Sequence, residues 1–506
     1  MMHRLRRVAA VTLAVVVSGA LAAGAIALTS RGQQRAPAAE PVSQARPMPD
    51  EPAPAPAPTA LPTGSAAPGS EPLGLRWSWA QPDTFDFVAR ASGGWTFAEV
   101  LWCDIQPEPG TWEWTALDAV VRDARTLGHE TMLKLRTGQC WGAAPAPALR
   151  RDVTENVDKD PSTPATDLAA YLAFVRAVVG RYAARGIDYY AIENEPDTVN
   201  HWAAPIASYR STARAVAAAI HQVDPGALVL DGGVSSTAYG VAMAAAQIRR
   251  EPRRALHTYR AYYARRIAGS ASRFPDVRSV RELRRVLGSD QARRAIRAVD
   301  IAVDLANAGV LDRYQLHYYE PPDQLPRLLQ FLDGRLRQQV PVEAWEIGIA
   351  WPGPGFTERA QATQVFRIVA LLLAAQVRRT VYLPAAYTAA PGKLQVFRGL
   401  TEPDGTTYPA GDGWLALVDA LAGLHDVRVR PAGGRLAGAT WQIGGRQAAL
   451  VWARSGPVAL EPTDVRMVMD ATGAVVPGAP VVGRDPVLVL GSARGDLTAQ
   501  VARGAR

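Results

Sequence analysis

Cysteine is nearly absent: Cys103 and Cys140 are the only two in 506 residues, and neither lies near the N-terminus. That excludes export as a lipoprotein, which needs an N-terminal cysteine to acylate. The chain also lacks a His-Glu-x-x-His motif, a cysteine cluster and a carboxylate triad, so no metal is required and no cofactor is expected. No repeat of fixed period runs through it. Charge is modest. Charged residues make up 20% and hydrophobic residues 48%, ordinary globular values that exclude a disordered protein and a multi-span transporter. The formal excess of +8 is mostly arginine, much of it clustered, and nucleic acid is not an expected partner.

What is present begins with a leader. Basic residues among Met1 to Arg7 precede an uninterrupted apolar run from Val8 to Leu28, followed by Arg31. A charged start before an apolar run is an export signal. Ala20-Leu21-Ala22 offers a cleavage site, yet the run is also about as long as the roughly 20 residues that span a bilayer. Residues 1–30 are therefore a cleaved signal peptide or a single retained membrane anchor, and both readings stay open. Arg4, Arg6 and Arg7 place the remainder outside the cytoplasm, either extracellular or at the cell surface. Residues 31–72 are rich in Pro and Ala and have no apolar surface to bury, which makes them an extended spacer.

Beyond the spacer, short β-like runs alternate with helical stretches, the pattern of a parallel α/β fold. Eight runs are found: Leu75 to Trp79, Thr96 to Trp102, Thr131 to Arg136, Tyr189 to Asn194, Ala227 to Asp231, Tyr314 to Tyr318, Val340 to Glu346 and Thr380 to Pro384. Eight such units close a (β/α)₈ TIM barrel, here over residues 73–425. The excess length lies mainly in an insertion at 237–290 after the fifth strand, where Arg249, Arg250, Arg253, Arg254, Arg260, Arg265, Arg266, Arg273, Arg278, Arg281, Arg284 and Arg285 cluster. Such an insertion either contacts an anionic glycan or surface or is simply a solvated helical face. Residues 426–506 read as a small antiparallel β-sandwich packed on the barrel.

The chemistry lies at strand ends. Glu193-Asn194-Glu195-Pro196 closes the fourth strand and Trp345-Glu346-Ile347-Gly348 the seventh. A glutamate at the C-terminal end of a barrel strand faces the cleft, where barrel catalysis is found. Glycosidic cleavage needs two carboxyl groups about one bond, roughly 5 to 5.5 Å apart when the anomeric configuration is retained. Glu193 shares the inward parity of Glu195 one step deeper, whereas Glu343 has the opposite parity to Glu346 and is expected to face the helices.

Taken together, these segments resemble clan A glycoside hydrolases, most nearly family 39 and more distantly families 5 and 10. Two further stretches carry the resemblance, Trp102-Cys103-Asp104-Ile105-Gln106-Pro107-Glu108-Pro109-Gly110-Thr111-Trp112-Glu113-Trp114 and His317-Tyr318-Tyr319. The resemblance implies a secreted, retaining O-glycosyl hydrolase acting on an extracellular poly- or oligosaccharide. Glu195 would then be the acid/base, Glu346 the nucleophile and Asn194 a contact to the sugar 2-hydroxyl, with His317 and Tyr319 lining the site. Trp141, Trp202, Trp351 and Tyr387, near strand ends, are candidates to stack on sugar rings. His201 is a weaker candidate than these.

Two departures from the clan's pattern stand out. Ala98-Glu99-Val100 occupies the second strand where an arginine is common, with Arg136 a candidate substitute, and Tyr382-Leu383-Pro384 lacks the usual tryptophan on the eighth. The competing reading is a catalytically inert carbohydrate-binding barrel at the cell surface. Cys103 and Cys140 follow neighbouring strand ends, which leaves a disulfide and two buried thiols as open alternatives.

Overall fold

A computed structural model describes residues 72–91, 93–146, 161–268, 275–352, 355–377, 379–387, 396–424, 429–492 and 495–504. The leader and all but the last residue of the spacer lie outside the described residues. Among the described residues, no helix is long and apolar enough to cross a membrane.

Eight parallel strands form one sheet: β1 Leu73–Leu75, β2 Trp95–Leu101, β3 Glu130–Arg136, β4 Tyr189–Ile192, β5 Leu228–Asp231, β6 Tyr314–Tyr318, β7 Val342–Ile347 and β8 Thr380–Tyr382. They lie in the order β5-β4-β3-β2-β1-β8-β7-β6. Bridges from Leu230 to Arg313 and from Val234 to Leu316 bring β5 to β6 and close the circle. The fold is a (β/α)₈ barrel. Its strands are buried on both faces, which is why they read as nearly continuous apolar runs.

The outer ring consists of α1 Phe85–Arg90, α2 Thr115–Thr126, α3 Leu168–Ala183, α4 Ile206–Val223, α5 Asp290–Asn307, α6 Leu325–Asp333, α7 Glu358–Ala374 and α8 Pro409–Leu421. Local chemistry sets their starts. The side chains of Asp167, Ser289 and Thr357 each accept the free N–H three residues on, at Ala170, Ala292 and Ala360. In α2, Leu117, Val120, Val121 and Ala124 fall on one face and are the residues that it buries.

A β-bulge decides which side chains enter the barrel. Gln315 pairs with Glu343, but His317 pairs with Glu346, so β7 advances three residues while β6 advances two. The extra residue reverses the alternation. Glu343, Trp345 and Glu346 are consequently all drawn into the interior networks, which corrects the expectation that Glu343 faces the helices. Glu343 sits instead at the barrel's N-terminal end, bonded to Arg379 at 2.7 Å and to Trp345 Nε1 at 2.9 Å. The Arg379 guanidinium lies 3.8 Å from the centroid of Trp95 and 4.4 Å from that of Tyr189. These groups plug the bottom.

Cys103 and Cys140 form a disulfide with Cα atoms 5.2 Å apart, tying the exit of β2 to that of β3. Closing a loop over a separation of 37 residues restricts the unfolded chain by roughly 4 kcal/mol on the chain-entropy argument.

The insertion after β5 is mostly helical, comprising Ser236–Gln247, Pro252–Tyr262, Ala264–Ala268 and Val280–Leu287. Its first helix is buried from Ser236 to Ala244 and packs against α5. The C-terminal unit is a five-stranded antiparallel sheet built from 430–431, 436–443, 446–453, 487–491 and 465–470 in spatial order. Alternation divides its faces: Trp441, Ala448 and Leu450 join the barrel's main core. Ala449, Val451 and Val489 instead pack under α9, Leu497–Arg503, and a ribbon of 458–459 with 481–482.

Candidate active site

At the opposite end from the Arg379 plug, four strands and their exits, β3, β4, β6 and β7, deliver polar side chains to one buried cluster. Glu346 from β7 receives the Lys134 ammonium of β3 at 2.6 Å and the Tyr319 hydroxyl at 3.0 Å. Across from it, Glu195 lies 3.1 Å from His317 Nδ1 and 3.5 Å from His201 Nδ1. His317 Nδ1 is also 3.3 Å from Glu346, so the ring stands between the two carboxyl groups. One oxygen of each glutamate and a nitrogen of His317 all lie within 4.8 Å of one another.

The two acids have unlike surroundings. Burial opposes ionisation of Glu346, but His317, Lys134 and the Tyr319 hydrogen bond outweigh it and hold its carboxyl below the usual carboxylate range. Burial pushes the His317 imidazole down to about 4, so at neutral pH it acts as an uncharged ring. Its Nε2 has no partner, which favours the proton on Nδ1, directed at the carboxyl oxygens. Lys134 therefore carries the positive charge that faces Glu346.

The exit of β4 is strained. The strand ends at Ile192, and Glu193 and Glu195 then adopt positive φ of 65° and 35°. Such conformations cost on the order of 1–3 kcal/mol each for residues other than glycine. Neighbouring strand exits hold them: Glu193 N–H donates to Leu135 O at 2.9 Å and Glu195 N–H to Gly232 O at 3.2 Å. Gly232 and Gly233 make room, since a Cβ on Gly232 would meet the Glu193 backbone at 2.6 Å and one on Gly233 would meet His317 Nε2 at 2.2 Å. Strand parity no longer applies past Ile192. Glu193 turns sideways and accepts from the Thr137 N–H at 2.8 Å and its hydroxyl at 3.1 Å, rather than lying one step below Glu195.

Asn194 is held from both ends, with Oδ1 accepting from Lys134 at 2.9 Å and Nδ2 lying 3.1 Å from His201 Nδ1. Of the residues expected from sequence, the structure gathers Glu195, Glu346, Asn194, His317 and Tyr319. Trp351 joins the same interior apolar cluster as Tyr319, with positive φ and its N–H bonded to Val396 O at 2.7 Å. Trp141 is 38% exposed on the rim, its indole donating to Gln106 O at 2.9 Å.

Two expectations need correction. Trp202 is fully buried against Tyr209 in the outer core and presents no face to a cleft. Arg136 pairs with Glu99 and approaches Glu193, not Glu346. Arg76, just past β1, packs on Phe97 and Trp79, and its charge interacts with Glu99 and Glu346. Lys134 belongs to no motif, and the one sequence signal for it is a lysine inside the apolar run Met132-Leu133-Lys134-Leu135.

Glu195, His317 and Glu346 are also spaced as three metal ligands could be. The Lys134 ammonium 2.6 Å from Glu346 opposes a second cation there. The donor set suits protonic chemistry between two carboxyl groups.

No family model matches the chain, and no curated protein matches it. The fold matches that of solved glycoside hydrolases. A family 39 glycoside hydrolase from Bacteroides cellulosilyticus is 14% identical, with 84% of this chain and 81% of that one covered at a TM-score of 0.56. A family 39 β-xylosidase from Caulobacter crescentus is also 14% identical, with 85% and 98% covered at 0.50. At such identity what is shared is the (β/α)₈ fold.

Proposed function

We propose that this protein is an exported retaining glycoside hydrolase in which Glu346 is the nucleophile and Glu195 the general acid/base. The observation that carries this reading is a pair of buried carboxyl groups at the barrel's C-terminal mouth, close to retaining separation and unlike in their surroundings. Glu346, kept ionised, attacks the anomeric carbon while Glu195 gives its proton to the departing oxygen. The glycosyl ester formed on Glu346 is then opened by water, with Glu195 taking the water's proton. Tyr319 and Lys134 steady the charge on Glu346 before and after each step.

The leader supports action outside the cytoplasm, and the paired carboxyl groups support a poly- or oligosaccharide as what is cleaved there. An inert carbohydrate-binding barrel would have no use for a cation and a phenol trained on one carboxylate. Contact with an anionic glycan belongs to the same proposal, because Arg249, Arg250, Arg253, Arg254 and Arg260 stand exposed on the insertion. Binding through them would weaken steeply with salt and survive Glu346→Gln. The reaction itself is tested with a 2-fluoro glycoside carrying an activated leaving group. Label on the Glu346 peptide and a first product of retained configuration by NMR are expected; label elsewhere or inversion would overturn the reading.

A further inference from the structure

The arginine-rich insertion also reaches the catalytic machinery from behind. Tyr319, whose hydroxyl donates to Glu346, is the first residue beyond β6, in irregular chain that no strand ladder fixes. Its backbone is bonded to the insertion on both sides. Its N–H donates to the Ser236 hydroxyl at 3.1 Å, and its carbonyl accepts from the Arg265 guanidinium. The next residue, Glu320, is buried and accepts from Arg266 at 2.6 Å and from the Ser236 hydroxyl at 3.0 Å. Arg265 is anchored in turn to Gln364 of α7 at 2.9 Å, and the Ser236 carbonyl accepts from Tyr262 at 2.7 Å. Two arginines of this basic segment are thus internal braces and unavailable to an external glycan.

We infer that Ser236, Arg265 and Arg266 form a clamp that sets the Tyr319 phenol against Glu346, making the insertion a positioning element for the nucleophile. The inference rests on the catalytic reading of Glu346. A phenol donating to a carboxylate lowers that carboxylate's pKa, and the effect falls off steeply with distance and angle. Loosening the clamp should therefore raise the pKa of Glu346 and move the acid limb of kcat/KM to higher pH. A merely structural brace would lower stability and leave the limb in place.

The test combines Ser236→Ala, which removes little volume, and Arg265→Lys, which keeps the charge but loses the planar fork, each alone and with Tyr319→Phe. An aryl glycoside with an activated leaving group is the substrate. Each single clamp variant should raise the acid-limb pKa by about half a unit and lower kcat/KM below it roughly threefold. In the Tyr319→Phe background neither should add a further shift. An unmoved limb, or shifts that simply add, would overturn the clamp. Labelling of wild-type Glu346 by the 2-fluoro glycoside separates this outcome from failure of the catalytic reading. If no label lands there, the fluorine resonance of 3-fluorotyrosine placed at 319 decides the geometry. Displacement of that resonance by Ser236→Ala or Arg265→Lys supports the clamp, and an unmoved resonance overturns it.

Discussion

Glu343 and Glu346 stand three residues apart on one strand, both buried, each paired with a cation. At the bottom, Glu343 meets Arg379, whose flat guanidinium is held between Trp95 and Tyr189, and it also accepts from Trp345. At the mouth, Glu346 meets the slender ammonium of Lys134 and looks across at a second acid, Glu195. The first pair is a stopper, because Arg379 and Trp345 around Glu343 are committed to packing, with the partly exposed Arg313 at 3.6 Å on the rim. The second is a charged group that faces another acid, because the His317 ring beside it stands between Glu346 and Glu195. A buried ion pair thus acquires a chemical role from what it faces.

The sharpest way to break that contrast is to neutralise each glutamate. Glu346→Gln should abolish turnover of every glycoside, since no covalent intermediate can form. Glu343→Gln should keep kcat/KM within about twofold, and lose stability on the order of 3 kcal/mol in urea unfolding as Arg379 is left unpaired. Equal losses of activity in the two variants would erase the distinction.

Glu195→Ala comes next in size. An activated phenol leaves without a proton, so the first step on an aryl glycoside should be spared while natural linkages slow by about 10²- to 10⁴-fold. Azide should partly restore the second step, and burst kinetics with and without azide measure both. Indifference to the leaving group would remove Glu195 from the acid/base role.

Lys134→Met compares the two cations. Without the ammonium, Glu346 is buried with less compensation, so the acid limb of kcat/KM should rise by about one unit and stability fall by roughly 3 kcal/mol. Arg379→Met should give a similar loss of stability with no movement of the limb. A limb that shifts in both variants would show that the ends of the barrel are coupled.

The smallest effect concerns stability against pH. His317 is held at about 4, below its ordinary 6.5, so between these values the unfolded chain binds the proton first. Stability from the neutral ring is full above pH 6.5 and is lost as pH falls towards 4. Asp231 nearby, pushed up to about 6 by burial, works in the opposite sense between 3.8 and 6. His317 holds the Asp231 value down, so its replacement lets Asp231 rise further and flattens the slope in the same direction. The slope of the unfolding free energy between pH 6.5 and 5, from urea unfolding at each pH, should be shallower in His317→Gln than in wild type, by at most about 1.4 kcal/mol per pH unit.

Local pattern sufficed for the eight βα units and for singling out Glu195 and Glu346, which the fold brings to one cluster, because strand ends and proline punctuation are sequence-local signals. The supporting cast was less legible. Lys134 stands out only once its rarity is noticed, since Lys134, Lys159 and Lys393 are the chain's only lysines. Arg76 follows β1 with no motif of its own, and Gly232-Gly233 reads as a simple turn until the His317 ring is seen against it.

The amino-acid order by itself determined the alternation of strands and helices, the basic insertion, and two acids at strand ends, for these depend on spacing along the chain. Tertiary structure alone decided the bulge that turns Glu346 inward, the sideways course of Glu193, the pairing of Lys134 with Glu346, and the inward turn of Arg265 and Arg266. Each of these joins groups far apart in sequence, where the cost of burying a charge or straining φ is offset only by a partner that folding brings within bonding distance.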